Sequence, residues 1–127
     1  MSELPVVILV SDARGEVERA ASRLHDTGLR NAMIRVRDLD DLVAWRAQHA
    51  SEIAFVIVHA AACRGFGESG MVPALPVYPA FAVELIDGHL MASVWRSPGV
   101  AASRPVPFDA PALVRSLPRI GLRWLVV

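Results

Sequence analysis

"PVVILVSDARGEVERAASRLHDTG", residues 5–28, is the stretch whose reading decides the fold. Val6 to Val10 is an unbroken aliphatic run without the alternation of a strand wet on one side, so it reads as a strand buried on both faces. Asp12 is then placed to cap a helix. Val17, Ala20, Ala21 and Leu24 follow at helical spacing, and Gly28 stops it. A doubly buried strand running into an amphipathic helix is the first half of a β-α-β unit, which requires a sheet covered by helices.

The chain repeats that unit. Ala32 to Val36 reads as a second strand. Asp38 opens a second helix with Leu39, Leu42, Val43 and Ala47 along one face, and Asp41 stands three residues after the cap as a capping partner. Ile53 to Val58 reads as a third buried strand. The β-α-β-α-β opening predicts an α/β fold with a parallel or mixed sheet.

The pattern changes after Cys63. "RGFGESG", residues 64–70, lacks the spacing of a phosphate-binding loop and reads as a flexible connection. Ala80 to Ile86 and His89 to Trp95 flank Asp87-Gly88, a strong short-range hairpin signal. A two-residue turn pairs Leu85 with Leu90, Val83 with Ala92 and Phe81 with Val94. Glu84, His89 and Ser93 fall on the opposite face. The segment from Pro98 to Pro107 reads as a crossover loop. Asp109 caps a third helix with Pro111 in its first turn, and Gly121 to Val127 reads as a last strand.

The 127 residues predict a single domain, 1–127, and 13 basic against 13 acidic residues leave no charge bias toward nucleic acid or an anionic membrane surface. Hydrophobic residues make up 54% of the chain, more than a small monomer readily hides, so a homodimer or another oligomer is expected. The longest apolar run, Ile53 to Cys63, is too short to span a bilayer. One cysteine makes no internal disulfide and fits a reducing, cytoplasmic setting. The four histidines show no metal-ligand spacing, so no metal site is expected.

Six residues are candidates for function. Arg96 ends the apolar row of the hairpin, where its guanidinium either reaches an anion at the sheet rim or snorkels to solvent. Ser97 follows it. Asp109 reads first as a helix cap, a role compatible with ligand recognition. His59 ends the third strand and reads first as a hydrogen-bonded core histidine, with lining of a cleft at the strand ends as the other reading. Cys63 reads as a buried free thiol and Tyr78 begins the fourth strand; both are weak catalytic candidates.

The order of the later segments resembles thymidylate synthase. That family has a strand ending near Ser-Ala-Trp-Asn, then Leu-Pro-Pro-Cys-His, a Phe-rich strand, an Asp-Gly turn, a return strand ending in Gln-Arg-Ser, and Val-Pro-Phe-Asn opening a helix. The matching pieces here are "FVIVHAAAC", "ALPVYPAF", "LIDGHL", "VWRS" and "PVPFDAPALV", covering about residues 42–127. Residues 1–37 form a β-α-β lead-in without a counterpart. The resemblance implies a thymidylate-synthase-like mixed sheet, a phosphate held by Arg96 and Ser97, and a pyrimidine edge read by Asp109. It also implies an obligate dimer.

The departures from that family point away from its chemistry. Val77 stands where the nucleophilic cysteine belongs, Tyr78 where the histidine does, and "SEIAF" where the cross-dimer arginines do. The covalent mechanism therefore has no nucleophile. The implied function is a degenerate, non-catalytic domain that binds a phosphorylated pyrimidine-like molecule or serves as an accessory subunit, as a homodimer or with a synthase-like partner. No cofactor is required. A second reading is an altered pyrimidine C5 methyl- or hydroxymethyltransferase-like enzyme, with folate as its cofactor and Cys63 or Tyr78 in a new role. A third comes from "VVILVSD", the β-α alternation and "RPVPFD", which resemble a response-regulator receiver. There the phosphoacceptor position falls on His59 and the lysine position on Arg104, giving a pseudo-receiver. The Asp-Gly hairpin has no counterpart in a receiver's alternation.

Overall fold

The computed structural model describes residues 5–11, 14–49, 53–61, 80–97, 100–101 and 104–116. Strand β1 (Val6–Val10) leads to helix α1 (Glu16–Asp26), β2 (Met33–Val36), α2 (Leu39–Gln48) and β3 (Ile53–His59). Strands β4 (Ala80–Ile86) and β5 (His89–Ser97) follow, with two short strands, β6 (Val100–Ala101) and β7 (Val106–Pro107), before helix α3 (Ala110–Ser116). The sheet runs β2-β1-β3-β4-β5-β6, with β7 also paired to β5. Strands β2, β1, β3 and β4 are mutually parallel, and β5 returns antiparallel. The α/β class and the mixed sheet expected from the sequence are both present.

The strand order explains where the helices lie. The step from β1 to β2 goes one way across the sheet and the step from β2 to β3 goes the other, so two crossovers of one hand must lie on opposite faces. Accordingly, α1 and α3 cover one face, where Val17, Ala20, Leu24 and Ala110 pack on Val7, Leu9, Phe55, Ile57 and Val83. On the other face, Leu42 and Trp45 of α2 pack with Ile8, Val10, Val56 and Val58. The outer face of α1 is charged, whereas Val43 and Ala47 of α2 are exposed. That corrects the expected stripe: only Leu42 of those three side chains points inward, and Trp45 takes the remaining core position.

Local signals account for most element ends. α1 stops in a paired hydrogen-bond motif, with Leu29 N–H donating to Leu24 O and Gly28 N–H to His25 O, while Gly28 holds φ at 111°. Leu24 and Leu29, both buried, make the apolar contact that accompanies this motif. Its start differs from expectation. Gly15, not Asp12, occupies the N-cap at φ 76°, without a side-chain cap. α2 begins as expected, with the Asp38 carboxylate accepting from Asp41 N–H and Asp41 accepting from Arg37 N–H. The hairpin register is the one read from the sequence, Leu85 opposite Leu90, Val83 opposite Ala92 and Phe81 opposite Val94. Asp87 and Gly88 sit at φ 52° and 79°, the paired positive values of a tight hairpin turn. The crossover loop expected over 98–107 instead contributes β6 and β7. The last strand expected at 121–127 lies outside the described residues.

Candidate functional site

In an open parallel sheet, ligand sites form outside the carboxyl ends of the strands, where the strand order reverses. Here that point lies between β1 and β3. Two side chains meet there: Glu16, in the first turn of α1, and His59, the last residue of β3.

The Glu16 carboxylate is buried at this edge and is held from two sides. Strand β4 outruns β3: their pairing ends at His59 opposite Val83, and β4 continues to Ile86. The N–H of Leu85 therefore extends past the end of β3, and it donates to Glu16 Oε2 at 3.0 Å. The His59 Nε2 atom lies 2.7 Å from the same oxygen, with side-chain exposures of 12% for the histidine and 2% for the glutamate. The carboxylate stands off the ring N–H direction, so Nε2 has close polar contact without a well-directed hydrogen bond.

The other ring nitrogen fixes the tautomer. Nδ1 of His59 accepts from Ala61 N–H at 3.1 Å. A nitrogen that accepts carries no proton, so in the neutral ring the proton resides on Nε2, facing Glu16. That placement makes the short contact attractive. It also leaves neither nitrogen free to take a proton from a substrate, which a general base must do within hydrogen-bond reach. The pair is a buried cross-brace between α1, β3 and β4.

A second feature lies toward the other end of β4. An apolar cavity of about 270 Å³ opens between α3 and strands β4, β5 and β7, walled by Phe81, Val94, Phe108 and Leu113 with Asp109 at its rim. Asp109 caps α3 as expected, its Oδ1 accepting from Ala112 N–H at 3.0 Å. A second hollow, of about 430 Å³, runs between α1 and β2. Its cations are already engaged. Arg35 grips Glu18 at 2.6 and 2.9 Å, and that hydrogen bond raises the Arg35 pKa above its ordinary value. Arg30 donates to the carbonyl of His25 at the end of α1.

The structure thus separates the residues singled out in the sequence. His59 stands at the carboxyl edge with Glu16, a partner that sequence reasoning missed. Asp109 stands at the apolar cavity. Arg96 and Ser97 are the last two residues of β5, two and three positions beyond Val94 of the cavity wall. Cys63, Val77 and Tyr78 lie outside the described residues. Among the described residues no group of three or more His, Cys, Asp or Glu side chains is arranged to hold a metal, and no helix is long and apolar enough to cross a membrane. Glu16 did leave a signal. It sits four residues before Ala20 and one before Val17, so it belongs to the apolar stripe of α1. A carboxylate in such a stripe must find donors when buried.

Comparison of the chain with known protein families, curated proteins and solved structures finds no match.

Proposed function

We propose that this chain is a receiver-like regulatory domain that acts by binding and not by phosphoryl transfer. His59 carries the reading. It ends the third strand of a sheet ordered β2-β1-β3-β4, where the receiver resemblance puts the phosphoacceptor, and it lies against buried Glu16. A histidine takes up a phosphoryl group through a nitrogen lone pair. Here Nδ1 is spent on Ala61 N–H and Nε2 bears the proton facing the carboxylate. The hairpin is accommodated on the far side of the sheet, after which the chain still returns α3 to the face that α1 covers.

The test uses acetyl phosphate with Mg²⁺, followed by intact-mass measurement, and calorimetry with dCMP and dUMP. The expected result is no added phosphoryl group and no saturable heat. Phosphoryl uptake on the folded protein would overturn the reading.

A thymidylate-synthase-like domain is the second reading, supported by Asp109 at the mouth of a cavity walled by β5, the strand that ends in Arg96 and Ser97. It requires heat with dCMP that disappears in Arg96→Ala. Both readings are compatible with self-association, which light scattering during gel filtration would reveal.

A further inference from the structure

We propose that the cavity between α3 and the β4-β5-β7 part of the sheet binds a small, uncharged aromatic molecule carrying one hydrogen-bond donor. This goes beyond the receiver-like reading and does not depend on His59.

Size and lining set the ligand class. The cavity measures about 270 Å³. A dry apolar cavity of about 150 Å³ already takes benzene, so a one- or two-ring aromatic has room. Its walls are aromatic and aliphatic, and Phe81 is held rigid by an edge-to-face contact with Phe55 at 5.3 Å and 89°. Val106, which lines the mouth, is 55% exposed, an apolar surface that an occupant would cover.

Charge narrows the class further. Among the described residues no lysine, arginine or histidine lines the cavity, and the carboxylate of Asp109 repels an anion. Among the described lining residues the one ionised group is the Asp109 carboxylate, an acceptor only. Its Oδ1 is committed to Ala112 N–H. A carboxylate has capacity for several donors, so Asp109 can still receive an N–H or O–H from a molecule seated on Phe81 and Leu113. Mostly apolar walls with few polar groups, here the Ser93 hydroxyl and the Asp109 carboxylate, are the usual composition of a small-molecule site.

Indole and benzothiophene test this directly, being similar in shape while only indole has an N–H donor. Indole should raise the melting temperature saturably and shift the amide resonances of Phe81, Phe108 and Ala112. Benzothiophene should bind about tenfold more weakly, the effect of losing one hydrogen bond to a charged acceptor. Ala112→Leu fills the cavity and should abolish indole binding while the variant's own melting temperature holds or rises. Asp109→Asn keeps a good helix cap and should reduce the indole preference severalfold. Absence of indole binding, binding that survives Ala112→Leu, or equal affinity for the two probes would each overturn the proposal. Displacement of indole by dCMP would overturn the uncharged class while leaving the absence of phosphoryl transfer at His59 untouched.

Discussion

Replacing Glu16 with alanine removes one side chain, strands one donor and takes away a close polar contact. The N–H of Leu85 loses its acceptor at 3.0 Å, and the proton on His59 Nε2 loses the oxygen 2.7 Å away. The stranded Leu85 N–H costs about 1–3 kcal/mol and the lost His59 contact about 1 kcal/mol. Loss of an acid from the first turn of α1 adds roughly 0.5 kcal/mol. Relief of the desolvation of a carboxylate that is 2% exposed works in the other direction. The net expectation is a loss of about 3 kcal/mol. With an unfolding entropy of about 2.1 cal/mol/K per residue, that corresponds to a fall in melting temperature of roughly 11 °C. Urea unfolding followed by circular dichroism measures it. Glu16→Gln keeps an oxygen for Leu85 and should lose only about 1 kcal/mol. A cost below about 1 kcal/mol for Glu16→Ala at an unchanged denaturant slope would refute the cross-brace. Equal costs for the two variants would show that the Leu85 bond is not what Glu16 supplies.

Other perturbations separate surface from interior. Arg35→Ala should change stability by less than about 0.5 kcal/mol in the same urea assay, because its pair with Glu18 is exposed at 55% and 49%. Gly88→Ala should cost about 1 kcal/mol. Its Cβ meets no neighbour within 4 Å, so the loss comes from the positive φ of 79° alone. Asp109→Ala should cost about 1 kcal/mol through the lost cap on α3, and Asp109→Ser should recover most of it. His59→Asp should be more damaging than His59→Asn, because it brings a second carboxylate against Glu16. Equal melting temperatures for these last two variants would refute the charge argument.

How much of this was legible in the sequence depended on how local the cause was. The strands β1 and β3 are continuous apolar runs, and the hairpin register follows from a two-residue turn, so both could be read from neighbours in the chain. The cap of α2 was legible for the same reason, being a contact between residues three apart. The start of α1 was not. Glycine at φ 76° ends the approach to that helix by backbone geometry, with no side-chain signature to distinguish it from Asp12 upstream. The inward face of α2 was misassigned because the helix is apolar on two sides, so periodicity alone could not choose between Val43 and Trp45. Strands β6 and β7 owe their existence to β5, a long-range partner that a Pro-rich segment does not advertise.

The carboxyl edge shows why its residues must be considered together. The Asp87-Gly88 turn fixes the length of β4, and the end of β3 at His59 fixes how far β4 extends beyond its parallel neighbour. Those two boundaries leave the Leu85 N–H in need of an acceptor, which Glu16 provides from the first turn of α1. A buried carboxylate accepts and cannot donate, so whatever ends β3 beside it must bring a proton. Histidine with Nδ1 tied to Ala61 N–H does so in one orientation. An aspartate at that position, the phosphoacceptor that the receiver resemblance calls for, would set like charges against each other inside the fold. In the receiver-like reading, a histidine in place of that acceptor is therefore not an isolated change. It is coupled to the hairpin, through the Glu16 carboxylate that joins β4 to α1.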